Sequence, residues 1–316
     1  NLVIHITFIR FVGNHQSTSP SIEIFFKEMG ISEPSYNLGI SALSHGAMTG
    51  RMLEAVEAII MRESPDWVLV YGDTNSTLAG ALAASKLNIQ LAHVEAGLRS
   101  FNMRMPEEQN RVVTDHLASL LACPTQTAVD NLAKEGIIKG VIYTGDLMFD
   151  AIKLYKQMYE SREIVSKYSD FSMLTLHRPS NVDNKEQLIK ILKVLDDLGH
   201  HFIFPIHPRT RKKISDFGIL LPKNIEVINP LGYLDMMAMT SKANTLFTDS
   251  GGLQKEAFFL DVKCVTLRDT TEWVETITEN ANFLALDSYG NIDNSKLVEF
   301  LSKPKIAQKL ASPYGN

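Results

Sequence analysis

Short apolar segments alternate with longer amphipathic segments along most of the chain. In the first half, runs rich in branched and aromatic side chains predict buried strands at residues 67–71, 89–94 and 141–143. Helical spacing of the apolar positions between them predicts helices over residues 78–87 and 107–121. This half therefore has the strand–helix order of a parallel sheet.

The second half repeats the alternation. The predicted strands are residues 171–176, 202–206, 245–248 and 263–267. The predicted helices are residues 185–198, with Gly199 as the stop, 234–242 and 253–260. Right-handed crossovers between parallel strands place helices on both faces of a sheet. The predicted fold class is therefore α/β, with two Rossmann-like doubly wound domains that face a cleft.

A polar, highly charged segment at residues 153–170 separates the two series. We therefore predict an amino-terminal Rossmann-like domain over residues 1–155 and a carboxyl-terminal one over residues 165–316, which suits a chain of 316 residues. Doubly wound sheets bind ligands beyond the carboxyl ends of their strands. Candidate chemistry is therefore expected directly after each predicted strand.

Composition narrows the class of protein. Hydrophobic residues make up 45% of the chain and charged residues 21%, which excludes a disordered or fibrous protein. A net charge of −5 argues against nucleic-acid or membrane-surface binding, and no apolar run is long enough to span a bilayer. Cys123 and Cys264 match no zinc or redox spacing and there is no HExxH motif, so we predict no metal and a reducing, cytoplasmic location.

Carboxylates follow two predicted strands of the first half. Asp73 follows residues 67–71 after one glycine, where it either caps the next helix or lies at the ligand-binding end of the sheet. Glu95 ends the strand at residues 89–94, and a carboxylate at a buried strand end is suited to proton transfer. A structural pair with Arg99 is the alternative role for Glu95. We expect His93 to be a hydrogen-bonded sheet histidine.

Two adjacent acids, Glu107 and Glu108, open the helix after Pro106. The helix dipole alone favours acids in a first turn. Glu107 also stands four residues before Arg111, the spacing of a helical ion pair. Spacing alone leaves open whether Glu107 is structural or catalytic.

Histidines and an arginine follow two predicted strands of the second half. His177 and Arg178 come after residues 171–176, and His207 comes after residues 202–206. A guanidinium matches the oxygens of a pyrophosphate, so these residues predict a phosphate-containing ligand.

A Ser-Gly-Gly turn joins the predicted strand at residues 245–248 to a helix. Exposed backbone N–H groups at a helix start bind anions, and glycines let a phosphate approach closely, so Ser250, Gly251 and Gly252 predict an anion site. Glu256 lies about one turn later, where it is placed to accept hydrogen bonds from ribose hydroxyls. The loop matches neither the Walker motif nor the dinucleotide fingerprint, and a plain strand-to-helix turn is the alternative.

Several stretches of the chain, taken together, resemble the non-hydrolysing UDP-N-acetylglucosamine 2-epimerases. They are GDTNSTLAGALAA, HVEAGLRS, MPEEQNR, TLHRPSN, IHPRT, TDSGGLQKEA and LRDTTEW, in the family's order and spacing. The resemblance implies two Rossmann-like domains of the GT-B type with UDP in their cleft, no cofactor, and a homodimer. It also implies interconversion of UDP-GlcNAc and UDP-ManNAc for surface-polysaccharide precursors. The implied route is elimination of UDP to 2-acetamidoglucal and re-addition with protonation on the opposite face.

The resemblance also implies roles for individual residues. The catalytic acids it implies are Asp73, Glu95 and Glu107, with His177 acting on the departing UDP. The residues it implies for substrate binding are Arg111, Ser250, Gly251, Gly252 and Glu256. We add Arg178 and His207 to the predicted substrate-binding residues because they are suited to bind a phosphate. We also add Arg10, because it is the one arginine able to replace the family's usual one.

The chain departs from the family pattern in places. No Gly-Thr-Arg-Pro-Glu turn follows NLVIHITFIR, and the family's Gly-Gln-His stretch appears only as Gly13-Asn14-His15. Trp273 replaces the arginine of the common TTER pattern, and this tryptophan resembles relatives that act on UDP-diacetamido-uronic acids. Three alternatives therefore stay open: a 2-epimerase of such a uronic acid, a hydrolysing relative that releases UDP and free ManNAc, and an inert nucleotide-binding relative.

Overall fold

The structure is a computed structural model that describes residues 9–10, 28–32, 34–278, 280–304 and 314, with backbone alone at 9–10 and 278. The chain forms two compact units that divide between Leu147 and Met148, and Tyr314 belongs to the first. The polar segment at residues 153–170, predicted as the linker, follows this division and is largely helical.

The first unit is built on a parallel sheet. Its strands are β1 (Ile9–Arg10), β2 (Tyr36–Asn37), β3 (Trp67–Tyr71), β4 (Gln90–Val94), β5 (Leu120–Cys123) and β6 (Val141–Tyr143). Its helices are α1 (His45–Glu63), α2 (Asn75–Lys86), α3 (Pro106–Leu117) and α4 (Gln126–Lys134). β3 to β6 form one four-stranded sheet in chain order, and β1 and β2 form a separate pair.

Local sequence explains how α2 lies on this sheet. Its N-cap is Thr74, whose hydroxyl accepts the Thr77 N–H at 3.4 Å. Small residues line its buried face, and a Cβ on Gly80 would lie only 3.1 Å from the Val70 side chain. The helix therefore packs close to β3 and brings its amino terminus to the end of that strand.

Two predictions for the first unit are wrong. The helix predicted to run to residue 121 ends at Leu117, because Ala118 is extended and β5 begins at Leu120. β3 is not a fully buried strand: alternate side chains, Trp67, Leu69 and Tyr71, are 51%, 50% and 53% exposed. Within the described sheet β3 is an outermost strand, which explains this exposure.

The second unit contains a larger parallel sheet. Its strands are β7 (Ser172–Thr175), β8 (Phe202–Pro205), β9 (Ile225–Ile228), β10 (Thr245–Thr248), β11 (Lys263–Thr266) and β12 (Asn282–Leu284). Its helices, counting one that begins at the division, are α5 (Leu147–Leu154), α6 (Lys156–Glu160), α7 (Pro179–Val182), α8 (Lys185–Leu198), α9 (Pro208–Asp216), α10 (Tyr233–Lys242), α11 (Gly251–Phe259), α12 (Val274–Thr278) and α13 (Asn294–Ser302). A 3₁₀ helix covers Glu163–Lys167.

The strand order of this sheet identifies a topological switch point. The order is β12-β11-β10-β7-β8-β9, so the chain builds outward from β7 in one direction and from β10 in the other. β7 and β10 are hydrogen-bonded neighbours with Thr248 opposite Thr175. Ligands of doubly wound sheets bind where the order reverses, beyond the carboxyl ends of the strands. The ends of β7 and β10 are therefore the expected ligand-binding edge of this unit.

Buried strands and aromatic side chains form the core of the second unit. β7, β8 and β10 are buried along their whole length, and Phe202 and Phe247 meet edge to face with centroids 5.1 Å apart. The predicted α/β fold class is confirmed. No helix in the described part of the chain is both long and apolar enough to cross a membrane.

Candidate active site

In the first unit, the turn after β3 presents Asp73 beside α3. Thr74 caps α2, so the alternative in which Asp73 serves as that cap is wrong. The Asp73 carboxylate instead forms an ion pair with Arg111, whose side chain is only 5% exposed. The Asn110 amide also donates to the Asp73 carbonyl at 2.9 Å. Asp73 is therefore held from α3 by two side chains and keeps a partly exposed carboxylate.

The two acids at the start of α3 have different environments. Glu108 is buried, and its carboxylate accepts the N–H groups of Ser100 and Phe101 at 2.9 Å each. Arg111 donates to the same carboxylate at 3.0 Å. Arg111 thus pairs with Asp73 and Glu108, and the predicted Glu107–Arg111 alternative is wrong. Glu107 is partly exposed, and its carboxylate makes no hydrogen bond with any described residue.

Glu95 follows β4 in an unusual backbone conformation. Its φ is +73°, in the left-handed region that non-glycine residues avoid at a cost of about 1–3 kcal/mol. Gly72, after β3, also has a positive φ of +63°, and a Cβ there would lie 3.5 Å from the Glu95 carboxylate. The turns after two neighbouring strands therefore bring Glu95 close to the residue that precedes Asp73.

A buried polar network lies beneath these turns. The Arg99 guanidinium donates to Asp115 and, through two bonds of 2.7 Å, to Glu135, so the proposed Glu95–Arg99 pair is wrong. His93 contacts Asp115 at 2.6 Å and the Gly72 carbonyl at 2.8 Å. The prediction that His93 is a hydrogen-bonded sheet histidine is confirmed.

In the second unit, Asp249 organises the residues after β7. Its fully buried carboxylate accepts the N–H groups of His177 and Arg178 and the amide of Asn181, at 2.9–3.1 Å. Burial by itself would raise the pKa of this carboxyl, but the hydrogen bond and charge of His177, with the Arg178 and Asn181 bonds, hold that pKa below its ordinary value. His177 contacts the same carboxylate through Nδ1 at 3.1 Å and keeps a side chain 37% exposed.

The Ser-Gly-Gly turn forms the start of α11. Ser250 is the N-cap and accepts the Leu253 N–H at 3.4 Å. Two guanidiniums approach this helix start: a Cβ on Gly251 would lie 3.7 Å from both Arg178 Nη2 and Arg268 Nη1. Arg268 is buried, and its Nη1 has no hydrogen-bond partner in the described structure. A helix start with two arginines beside it is suited to bind a phosphate.

Two further predicted residues lie in the second unit. Glu256 is buried in α11, and its charge, after burial, contributes to raising the pKa of the Tyr233 hydroxyl in α10. His207 is exposed, caps α9 by accepting the Arg209 N–H at 3.2 Å, and has its ring centroid 6.2 Å from that of His177. The side chain of Arg10 and residues 13–15 lie outside the described residues.

Sequence reasoning missed Asp249, Glu108, Asp115 and Arg268 as parts of these clusters. Asp249 had a usable signal, because it follows a predicted strand just as Asp73 does. Arg268 likewise follows β11 by two residues. Glu108 had a local signal in its position three residues before Arg111. Asp115 had none, because its partners are fixed by tertiary packing. Within the described residues, no group of three or more His, Cys, Asp or Glu side chains is placed to hold a metal ion.

Comparison with known proteins relates this geometry to one family. The family model for UDP-N-acetylglucosamine 2-epimerase matches residues 7–316. A UDP-N-acetylglucosamine 2-epimerase of Methanococcus maripaludis is 45% identical over 303 residues, covering 91% of this chain and 82% of that protein. A UDP-2,3-diacetamido-2,3-dideoxy-D-glucuronate 2-epimerase of Pseudomonas aeruginosa is 48% identical over 278 residues, covering 86% of this chain and 78% of that protein.

A solved structure agrees with these matches. The crystal structure of Methanocaldococcus jannaschii UDP-GlcNAc 2-epimerase in complex with UDP-GlcNAc and UDP matches with a TM-score of 0.84 and 42% identity. The match covers 93% of this chain and 84% of that one. This chain therefore belongs to the UDP-N-acetylglucosamine 2-epimerase family.

Proposed function

We propose that this chain is a non-hydrolysing epimerase that interconverts UDP-N-acetylglucosamine and UDP-N-acetylmannosamine. The observation that carries the proposal is the placement of Asp73 and Glu95 on the turns that follow the neighbouring strands β3 and β4. Inversion at carbon 2 requires one group to remove a proton and another to deliver one to the opposite face. Carboxylates on two adjacent turns are suited to that task.

The proposed reaction has two steps. In the first, a carboxylate removes the proton on carbon 2 while the bond between carbon 1 and the UDP oxygen breaks, which yields 2-acetamidoglucal and UDP. In the second, the UDP oxygen adds back to carbon 1 and carbon 2 receives a proton on its other face. We assign the proton transfers to Asp73, Glu95 and Glu107, and to Arg111 the role of orienting Asp73.

The second unit is proposed to hold the nucleotide. The N–H groups of Ser250, Gly251 and Gly252 and the guanidinium of Arg178 would receive the diphosphate, whose charge increases as it departs. His177, oriented by Asp249, would act on that leaving group, with His207 beside it. Glu256 would accept hydrogen bonds from the ribose hydroxyls.

Incubation of the protein with UDP-GlcNAc in deuterium oxide, followed by NMR, tests the proposal. We expect UDP-ManNAc that carries deuterium at carbon 2, because the proton removed in the first step exchanges with solvent. Epimerised product that fully retains protium would contradict the elimination route. Release of UDP and free ManNAc would identify a hydrolysing enzyme. An inert nucleotide-binding protein would leave both UDP-GlcNAc and the UDP-diacetamido-uronic acid unchanged.

A second substrate has a specific observation in its favour. The Pseudomonas aeruginosa relative named for UDP-2,3-diacetamido-2,3-dideoxy-D-glucuronate is 48% identical to this chain. Trp273, the departure from the TTER pattern, is 4% exposed and its ring packs on Lys255, with Nζ 3.8 Å from the ring centroid. A comparison of kcat/KM for the two UDP-sugars decides between them, and a preference of about 10-fold or more for the uronic acid would replace our assignment.

Assembly and location remain predictions. We propose a homodimer on the family resemblance and a cytoplasmic location on the cysteine content. Sedimentation-equilibrium measurements on the full chain test the first, and a mass close to the 35.3 kDa of one chain would contradict it.

A further inference from the structure

The polar network beneath β4 determines the protonation of a buried histidine. His93 and Asp115 are both fully buried, and His93 Nδ1 lies 2.6 Å from Asp115 Oδ1. The other ring nitrogen, Nε2, lies 2.8 Å from the carbonyl oxygen of Gly72. A carbonyl oxygen only accepts hydrogen bonds, so Nε2 donates.

The ionisation state of Asp115 determines whether His93 Nδ1 donates or accepts its hydrogen bond. Its second oxygen, Oδ2, accepts the Gly97 N–H at 3.1 Å and the Arg99 guanidinium at 2.7 Å. The guanidinium of Arg99 and the Gly97 N–H both favour the ionised form of this buried carboxyl, independently of the charge on His93. An ionised carboxylate only accepts, so Nδ1 donates as well, and a ring that donates from both nitrogens is an imidazolium.

Ionised side chains of the buried network balance the positive charge of the His93 imidazolium. Among the described residues, the charged and titratable groups connected to the ring through this network are Asp115 of α3, Arg99 after β4, Glu135 after α4 and the Cys123 thiol of β5. Arg99 pairs with both carboxylates, so two cations face two anions. Burial and the charge of Asp115 raise the pKa of the Cys123 thiol to about 12, which leaves it neutral.

The ring also connects the two turns that carry the proposed proton-transfer groups. Both backbone groups of Gly72 are hydrogen-bonded to the end of β4. The Gly72 N–H donates to the Val94 carbonyl at 3.1 Å, and the Gly72 carbonyl accepts from His93. Asp115, the partner of His93, binds the Gly97 N–H of the other turn. Asp73 follows Gly72 directly, and Glu95 lies two residues before Gly97.

We propose that His93 is a positioning residue, held as an imidazolium by Asp115, that fixes the Gly72 carbonyl and thereby the position of Asp73 relative to Glu95. This inference rests on the proposed proton-transfer roles of Asp73 and Glu95. The part that concerns the protonation of the ring is independent of them.

Side-chain ¹⁵N NMR of the full chain, with histidines labelled, tests the protonation. The His93 signals are identified as those missing from His93→Gln. We expect both ring nitrogens to carry protons at about pH 7.5, because each lies within hydrogen-bond distance of an oxygen that we expect only to accept. A neutral ring near pH 7.5 would overturn the proposal.

Two variants separate the two hydrogen bonds. The amide of His93→Asn replaces Nδ1 and keeps the bond to Asp115, whereas the amide of His93→Gln replaces Nε2 and keeps the bond to Gly72. A displacement of about 1 Å at a reacting group costs about 100-fold in rate, so we expect kcat of His93→Asn to fall by about that factor with KM and UDP affinity retained. We expect His93→Gln to keep at least about 10-fold more of the parent kcat than His93→Asn.

The control is His116→Asn, because His116 is exposed on α3 and, among the described residues, its ring hydrogen-bonds through Nδ1 to the Val112 carbonyl of its own helix alone. It should turn over at the parent rate. Folded His93→Asn at the parent kcat would overturn the proposal, as would equal losses of kcat in both variants. If His93→Asn does not fold, two results still test the proposal. The NMR measurement tests the imidazolium, and a kcat of His93→Gln more than about 10-fold below that of His116→Asn would contradict the positioning role. A parent that binds UDP but forms no epimer refutes the proposed function and leaves the NMR test valid.

Discussion

The carboxylate of Asp249 receives the backbone N–H of His177 between its two oxygens, 3.1 Å from each. The two residues end neighbouring strands, β10 and β7, at the topological switch point of the second unit. The imidazole of His177 therefore has its backbone and its Nδ1 fixed by one buried anion. In the proposed reaction this would orient His177 toward the departing UDP before the substrate binds.

Asp249→Asn should destabilise the second unit. An amide oxygen is a weaker acceptor than a carboxylate, and the amide nitrogen would face the N–H groups of His177 or Arg178. Loss of a buried charged acceptor costs about 2–3 kcal/mol in the free energy of unfolding, which urea titration measures. The control is Asp287→Asn, because the exposed Asp287 carboxylate also accepts two backbone N–H bonds, at 2.8 Å each. An equally stable Asp249→Asn would show that burial of this carboxylate has no consequence.

The same substitution should change the dependence of stability on pH. The pKa of Asp249 is lower in the folded chain than its ordinary value, so the ionised carboxylate adds stability above the ordinary pKa of about 4. This contribution is lost as the pH falls through the folded pKa. The stability difference between parent and Asp249→Asn should therefore be constant near neutral pH and decrease below about pH 4. Urea midpoints across this range measure it, and a difference that grows on acidification would contradict the ionised state.

The sequence predicted the strands and their functional ends better than the contacts between them. β3, β6 and β10 have their predicted bounds because an apolar run is followed directly by polar or glycine residues. β5 was missed because only Ala118 and Ser119 separate it from α3, and helical periodicity continues through them. No local pattern marks this change.

Partner choice at the candidate site depended on tertiary packing. Arg111 has an acid four residues before it, yet it binds Asp73, which is 38 positions away in the sequence. Arg99 likewise binds Glu135, 36 positions away, although Glu95 is nearer in the chain. Helix spacing does account for the other partner of Arg111, an acid three residues before it, but it carries no information about partners that come from other elements.

Replacement of either strand-end carboxylate should lower turnover without loss of the nucleotide. Asp73→Asn and Glu95→Gln keep the shape of each side chain and remove its capacity for proton transfer, so kcat should fall by about 100-fold or more. UDP affinity, measured by calorimetry, should be retained because the proposed nucleotide residues lie in the second unit. Near-parent turnover in Glu95→Gln would show that its left-handed backbone serves the turn alone.

The two adjacent acids of α3 should separate catalysis from stability. Glu108→Gln weakens a buried acceptor of two N–H groups and of Arg111, so the free energy of unfolding should fall by about 1–3 kcal/mol. Glu107→Gln should leave stability unchanged, since its carboxylate makes no hydrogen bond with the described residues. If Glu107 transfers protons, kcat should fall by about 100-fold or more in that variant. A Glu107→Gln enzyme with parent kcat would remove this residue from the mechanism.

The last prediction concerns the start of α11. A methyl group at Gly251 would lie 2.7 Å from Glu272 Oε1, the far end of a side chain, and 3.7 Å from the guanidiniums of Arg178 and Arg268. Gly251→Ala should therefore fold but obstruct the space between those cations, where we place the diphosphate. Loss of one charge-assisted hydrogen bond corresponds to about 1.5–3 kcal/mol, so UDP affinity should fall by about 10-fold or more while uridine binds as before. The matched control is Gly252→Ala, whose methyl group would instead lie 3.6 Å from Met148 Cε, an ordinary contact, and should cost less affinity. Calorimetric titration of both variants with UDP and uridine measures the difference. UDP affinities that fall equally in the two variants, or not at all in Gly251→Ala, would place the diphosphate elsewhere than the start of α11.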